Sequence, residues 1–182
     1  DMTLEPEPRL DGGTLRFVPS LQTALFGAAD LARFQEVGFT RDSRADRMGV
    51  RLLPDGEGFA LDGGLSVLSE VIAPGDIQVT GDGTPFVLMS ECQTTGGYPR
   101  IGSVLPSDLA RVAQAQAGAR FSFIQVSLAD AVGIERRARE HRLRLRARLA
   151  PLLRDPSSLR DLLSYQLVSG VTAGDDLDVN DD

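Results

Sequence analysis

The densest group of side chains with ligand-binding chemistry in this sequence lies in a polar loop between two apolar stretches. Its members are Gln93, Thr94, Thr95, Gly96, Gly97, Tyr98 and Pro99. The glutamine amide donates and accepts hydrogen bonds, the threonines supply hydroxyls and the tyrosine adds a flat ring. The glycine pair can adopt a positive φ and bring backbone N–H groups close to a ligand. This set suits an amide, a urea, a carboxylate or a phosphate. The alternative is a hairpin whose polar groups satisfy its own backbone.

Four further residues are candidates for binding or proton transfer. Arg47 could hold a substrate carboxylate through two parallel hydrogen bonds, or form a surface ion pair. Gln78 lies among apolar residues of a predicted strand, as a ligand-binding group or as a buried amide. Glu70 and Glu91 are candidate general bases, although either could simply face solvent. We assign no catalytic residue from the sequence.

The single cysteine and the single histidine argue against several kinds of site. Cys92 is the only cysteine and His141 the only histidine, and they lie far apart in the chain. This excludes an internal disulfide framework and disfavours zinc or a Cys–His nucleophile pair, so we expect no metal and interpret Cys92 as a small buried thiol. The sequence also lacks the phosphate-binding patterns GxxxxGK[ST] and GxGxxG.

Composition indicates an ordinary soluble, globular chain. The 182 residues are 42% hydrophobic and 25% charged, which suffices for one domain with a core. The apolar runs are far shorter than the roughly 20 residues that span a bilayer, and no export signal is visible. We therefore expect a cytoplasmic protein without membrane contact. The net charge of −7 disfavours nucleic acid as a partner.

Short apolar segments separated by Gly- and Pro-rich turns predict a mainly β domain with two short helices. The predicted strands are 14–18, 47–54, 65–72, 76–80, 85–91, 101–105 and 119–126. Helical spacing in 27–37 places Leu31, Phe34 and Val37 on one face, and Ser107 is the predicted cap of a helix over 107–116. Many short strands with minor helices indicate a β-barrel or a sandwich.

The pattern changes to helical after Val126. A Ser127 cap predicts a long helix to Pro151, whose apolar side includes Val132 and Leu143 and is expected to dock on the domain. The alternative is a helix that binds a partner. A second helix is predicted over 158–168. We expect a linker at 1–13, the barrel domain at 14–126, a helical extension at 127–170 and a disordered acidic tail at 171–182. The opening at Asp1 on a proline-broken lead suggests part of a larger polypeptide.

Three segments together resemble one protein family. They are DSRADRMGVRL (42–52), LSEVIAPGDIQVTGDGTPFVLM (68–89) and VLMSECQTTGGYPRIGSVLPSDLARVAQAQAG (87–118). The chain is similar in these segments to the biotin-dependent carboxyltransferase / allophanate hydrolase subunit 2 family, which includes the C subunit of 5-oxoprolinase and KipI-antagonist proteins. The resemblance extends over about residues 14–126 and implies the C-terminal half of a family member, with a cyclophilin-like β-barrel.

The resemblance also implies partners and cofactors. The expected partners are the missing N-terminal half of the family, a KipI-like protein (the B subunit of 5-oxoprolinase) and the A subunit of the same enzyme. The complex would use ATP to open 5-oxoproline to glutamate, with the loop holding the lactam. Alternatively, the chain would belong to a biotin-dependent, urea-type carboxylase, or be a non-catalytic regulator that binds a KipI-like partner. A prolyl isomerase activity would follow from fold alone, which does not determine function.

Overall fold

The computed structural model describes residues 2–4, 10–59 and 67–151 of the chain. The strands are β1 Met2–Thr3, β2 Gly13–Val18, β3 Phe39–Arg41, β4 Gly49–Pro54, β5 Glu70–Val71, β6 Asp76–Val79, β7 Pro85–Leu88, β8 Thr95–Gly96, β9 Arg100–Val104, β10 Arg120–Gln125 and β11 Ala150–Pro151. The helices are α1 Ala28–Glu36, α2 Pro106–Gln114 and α3 Leu128–Arg144, with short 3-10 helices at Thr23–Leu25 and Leu145–Arg148.

Seven strands close into a barrel. Their order around it is β10, β2, β9, β6, β7, β4 and β3, and β3 pairs with β10 to complete the circle. The β10–β2 pair is parallel, whereas the other neighbours are antiparallel. The predicted mainly β barrel is therefore confirmed.

Alternation along the strands explains which side chains fill the barrel. Phe121 and Phe123 of β10 are both buried in the core, as are Leu15 and Phe17 of β2. Residues two apart in a strand share a face, so each strand presents one row to the interior. This confirms the predicted shared face of Phe121 and Phe123.

Helix α1 places Phe34 at the centre of the aromatic core. The Phe34 ring stacks on Phe123 at a centroid distance of 4.5 Å and contacts Phe17, Phe39 and Phe59 at 5.2–5.5 Å. Leu31 and Val37 of the same helical face pack against this core, as their spacing predicts. The helix is thereby anchored to the barrel through its apolar face.

Helix α2 begins differently from the prediction. Its N-cap residue is Leu105, followed by Pro106 in the first turn, so the assignment of Ser107 as the cap is wrong. Proline suits this position because the first helical N–H has no partner inside the helix. The Ser107 N–H instead donates to Glu135 Oε1 of α3 at 2.9 Å. The carboxylate of Glu135, from a neighbouring helix, therefore accepts an N–H of the first turn, as the serine hydroxyl was expected to do.

The strands β1, β3, β8 and β11 escaped prediction, and the predicted strand 65–72 was drawn too long. Within the described part of 65–72, only Glu70–Val71 is a strand, and β8 was read as loop. The three-residue β3 was also missed. Each of these elements is two or three residues long and forms through its pairing partner, so its own sequence carries little signal.

Helix α3 begins as predicted but ends early. Ser127 Oγ accepts the Asp130 N–H at 3.1 Å, which confirms the predicted cap. The α-helix stops at Arg144 and continues as a 3-10 turn rather than reaching Pro151. Val132 and Leu143 are 53% and 68% exposed, so the expectation that this side docks on the domain is wrong. The buried residue of α3 is Ala131.

Strands β1 and β11 pair antiparallel and belong to a compact unit of their own. The predicted helix over 158–168 and the acidic tail lie outside the described residues. In the described part of the chain, no helix has the length and apolarity required to span a bilayer.

Candidate functional site

The polar loop forms half of a two-stranded ribbon. Strand β8 pairs antiparallel with β5, with Glu70 opposite Gly96 and Val71 opposite Thr95. The ribbon continues beyond the pair, since the Ile72 N–H donates to the Thr94 carbonyl at 3.1 Å. The loop therefore has a fixed backbone and lies over a defined part of the molecule.

Arg100 fastens this ribbon to the barrel. Its guanidinium donates to the Val71 carbonyl at 3.1 Å, to Asp76 at 3.2 Å and to Glu70 at 2.5 Å. Gln22 completes the network: its amide nitrogen donates to Glu70 at 3.0 Å, and its oxygen accepts the Arg100 backbone N–H at 2.9 Å. The Arg100 side chain at the centre of this multiply bonded junction is only 13% exposed. Glu70, a candidate base from sequence, is one of its structural members.

Gln78 lies on the outer face of the barrel, under the ribbon. Its neighbours Ile77 and Val79 are fully buried in the core, so alternation turns Gln78 outward. It is nevertheless only 6% exposed, because the ribbon lies over it: a Cβ at Gly96 would lie 2.6 Å from Gln78 Nε2. The amide nitrogen of Gln78 has no hydrogen-bond partner among the described residues. Such a buried donor is costly unless something accepts its hydrogen bond.

A cavity of about 140 Å³ adjoins this amide. Its lining residues are Met48, Ile72, Gln78, Phe86, Leu88, Cys92 and Gln93. The walls are mainly apolar, and the amides of Gln78 and Gln93 supply directional hydrogen bonding. The lining contains no Asp, Glu, Lys, Arg or His. An apolar cavity with a few polar groups is typical of small-molecule sites, and here the chemistry favours a neutral carbonyl-bearing group.

The remaining loop residues are placed outside this lining. The side chains of Thr94, Thr95 and Tyr98 are exposed. Gly96 and Gly97 do not adopt a positive φ, so that expectation is wrong. Because both residues lack a Cβ, the loop backbone can instead lie close to neighbouring groups. A Cβ added at Gly97 would lie 3.3 Å from Ser69 Oγ, which is a looser fit than at Gly96. The structure thus brings Gln78, Gln93 and Gly96 together.

Arg47 belongs to a different cavity. It forms an ion pair with Glu91 at 2.5 Å, and its side chain is 83% exposed. This second cavity, of about 250 Å³, is lined by Arg41, Asp46, Arg47, Val50, Met89, Ser90 and Ala113. Neighbouring residues at the strand ends, Arg47 and Met48 before β4 and Leu88 and Met89 at the end of β7, line different cavities. Sequence reasoning missed Arg41, since β3 was not predicted.

The segment DSRADRMGVRL is largely explained by local structure. Asp46 Oδ1 accepts the N–H groups of Met48 and Gly49 at 2.8 and 3.1 Å, which fixes the turn before β4. Hydrogen bonds from the Arg44 guanidinium lower the pKa of Asp42 to about 2. The Thr80 hydroxyl is the main cause that lowers the pKa of Asp82 to about 2. These carboxylates are ionised structural groups at neutral pH.

Metal-binding chemistry finds no support in the described residues. Within 2–4, 10–59 and 67–151, no three His, Cys, Asp or Glu side chains gather as a metal ion would require. Cys92 is half-buried in the wall of the first cavity.

Comparison with known proteins supports the relationship implied by the sequence segments. The family model for the carboxyltransferase domain, subdomain A and B, matches residues 2–125. The chain belongs to this carboxyltransferase-domain family. The match includes the whole barrel, both cavities and the ribbon.

Curated relatives and a solved structure extend this assignment. The chain is 34% identical over 137 residues to the 5-oxoprolinase C subunit of Haemophilus influenzae, covering 75% of this chain and 43% of that protein. It is 35% identical over 121 residues to the 5-oxoprolinase C subunit of Escherichia coli, covering 66% of this chain and 38% of that protein. The chain therefore spans less than half the length of these relatives. The fold resembles the crystal structure of Kluyveromyces lactis urea carboxylase, with a TM-score of 0.64 and 18% identity over 84% of this chain and 15% of that one.

Proposed function

We propose that this carboxyltransferase-family chain is the barrel part of a protein like the C subunit of 5-oxoprolinase. Its partners would be a KipI-like protein in the place of the B subunit, the N-terminal half of the family and the A subunit. Together they would open the lactam 5-oxoproline to glutamate in an ATP-dependent reaction. The two curated relatives support this reading. The observation that carries it is the buried amide of Gln78, which lines a small cavity without a hydrogen-bond partner among the described residues.

In this proposal the ribbon cavity receives the amide group of the substrate. Gln78 Nε2 donates to the carbonyl oxygen, where negative charge develops when a nucleophile attacks. Gln93 Oε1 accepts the amide N–H, and apolar walls such as Phe86 and Leu88 surround the rest of the group. The attacking group and the proton donor would come from partner chains, so the isolated chain would bind without turnover.

ATP has no recognisable phosphate site in the sequence motifs or in the ribbon cavity of this chain. Neither phosphate-binding pattern occurs in the sequence, and the ribbon cavity has no cationic side chain in its lining. We therefore place ATP on a partner chain and derive no step through it here. We also propose a cytoplasmic location, because the complex would use cellular ATP.

Carboxyl transfer to a urea-like amide is the second candidate, favoured by the family assignment and by the uncharged lining of the ribbon cavity. Biotin is attached to proteins through a lysine amine, and this sequence contains no lysine, so the carboxybiotin would be delivered by another chain or domain. In this case too, Gln78 would orient the carbonyl of the acceptor.

Gln78→Met tests the assigned role of the amide. In a complex reconstituted with the N-terminal half and the A and B subunits, we expect kcat/KM for 5-oxoproline to fall about 10²–10³-fold, since one donor to a developing oxyanion is lost. The melting temperature should change little, because an unpartnered amide is replaced by an apolar side chain of similar size.

Gln116→Met is the matched control, since Gln116 is exposed and outside both cavities. Full activity of Gln78→Met would refute the site. Two results together would select the second candidate. The unmodified complex would show no oxoprolinase activity, and Gln78→Met would lose urea-dependent carboxyl transfer in a complex with a biotin carboxylase.

A further inference from the structure

The second cavity contains an arginine, Arg41, whose buried Nε–H has no hydrogen-bond partner among the described residues. Arg41 is the last residue of β3 and lies two positions after the core residue Phe39, so both side chains point to the barrel interior. Its backbone is held on both sides: the Arg41 N–H donates to the Ala119 carbonyl, and the Arg41 carbonyl accepts the Gly118 N–H, each at 2.9 Å. The position of this arginine is therefore set by the fold.

Arg41 differs from the other arginines that have a buried, unpartnered Nε. Arg51 and Arg111 share this feature, but Arg51 bonds to Asp82 and Thr84 and Arg111 bonds to the Thr14 carbonyl through their terminal nitrogens. Within the described part of the chain, no hydrogen bond or ion pair engages the guanidinium of Arg41. A partly buried cation without a counter-charge is unfavourable, so this site favours an anion.

The other charged residues of this cavity are already engaged. Arg47 pairs with Glu91, and Asp46 accepts two backbone N–H groups of its own turn. Ser90 adds a hydroxyl to the lining. Arg41 is thus the arginine of this lining without a carboxylate partner among the described residues, and a planar carboxylate matches its fork of donors.

An apolar groove continues from this cavity along α2. A neighbouring cavity of about 190 Å³ shares Met89, Ser90 and Ala113 with this second cavity, and adds Pro74, Leu109 and Ala110. The small side chains of Ala110 and Ala113 are exposed and leave the groove open. A ligand anchored at Arg41 can therefore extend over an apolar wall.

We propose that Arg41 and this groove bind a small organic acid, with the carboxylate on Arg41 and an apolar tail of several carbons along α2. The site lies on the other face of the strands from Gln78, and it does not depend on the proposed function of the ribbon cavity. It provides the barrel with a second, anion-selective binding site.

The test follows the Arg41 Nε–H resonance in ¹H–¹⁵N spectra of the full chain at constant ionic strength. The probes are acetate, hexanoate, hexanamide and inorganic phosphate. Hexanoate should shift this resonance saturably and bind about tenfold or more tightly than acetate, since burial of each additional methylene is favourable. Hexanamide should bind about tenfold or more weakly than hexanoate, since it lacks the charge. Equal shifts by phosphate and hexanoate, or the absence of a saturable shift, would overturn the proposal.

Variants separate this site from general attraction of anions. Arg41→Gln should weaken hexanoate binding about tenfold or more, monitored on the Ala113 amide, whereas Arg44→Gln removes the same charge from outside the cavity and should leave binding unchanged. Ala113→Leu narrows the groove and leaves the charge of Arg41 in place, so it should reduce hexanoate binding more than acetate binding. If Arg41→Gln fails to fold, the Ala113→Leu result decides: unchanged preference for hexanoate would reject the groove.

Discussion

The amide of Gln78 lies directly beneath Gly96, so closely that a Cβ at position 96 would come within 2.6 Å of Gln78 Nε2. The two residues belong to different layers: Gln78 to the barrel strand β6 and Gly96 to the ribbon strand β8. The glycine therefore allows the ribbon to close over the amide. This contact links the polar loop to the candidate site more directly than the side chains of the loop do.

Gly96→Ala should destabilise the ribbon, whereas Gly97→Ala should have a smaller effect. The added methyl group at Gly96 meets Gln78 and also Ile72 Cδ1 at 3.1 Å, and overpacking of this kind costs about 1–3 kcal/mol. At Gly97 the nearest atoms are 3.3–3.4 Å away and φ is ordinary. Urea denaturation of both variants measures the difference. Equal free energies of unfolding would contradict the close packing of Gly96 on Gln78.

Arg100→Met should loosen the ribbon from the barrel. The substitution leaves Asp76, with a side chain only 9% exposed, without its cationic partner. Breaking a buried ion pair lowers the free energy of unfolding by about 3–5 kcal/mol. Because Glu70 is 45% exposed, solvent reduces this effect, and we expect a loss of about 2 kcal/mol. Hydrogen exchange at the Ile72 amide, which bonds to Thr94, should accelerate more than exchange at core amides of β6. Glu70→Gln is the milder control. Uniform acceleration in Arg100→Met would show that the network does not act specifically on the ribbon.

Stability should fall on acidification because Asp42 and Asp82 have a pKa of about 2 in the folded protein. An aspartate in an unfolded chain has a pKa near 3.9, so the unfolded state binds protons first as the pH decreases. The stabilisation is fully present above about pH 5 and is lost as the pH falls towards 2. The urea midpoint of Asp42→Asn should depend less on pH in this window than that of the unsubstituted chain. Parallel pH profiles would indicate that Asp42 contributes nothing to this dependence.

The sequence predicted the parts of the fold in which side-chain pattern decides structure. Alternating apolar residues located β6 and β10, and helical spacing located α1 with Phe34 inward. The ribbon could not be predicted from the sequence, because Thr95 and Gly96 become a strand only through pairing with Glu70 and Val71.

The candidate site was recognisable in its components but not in its arrangement. Gln78 and Gln93 stood out as polar residues in unusual surroundings, yet nothing local shows that a glycine covers one of them. Arg41 was missed for a related reason, since its inward orientation depends on a three-residue strand that forms between β4 and β10.

Removing residues 159–182 should leave a folded barrel. All seven barrel strands lie between Gly13 and Gln125, and the β3–β10 pair that closes the circle is complete within them. We expect a cooperative thermal transition and retained exchange protection of the Ile77 and Val79 amides. A chain that ends at Ala119 is the matched control: it lacks β10, which pairs with both β2 and β3, so the barrel would open at two neighbouring edges and should not fold. A shortened chain that ends at Ser158 and shows no cooperative transition would place an essential part of the fold in the removed segment.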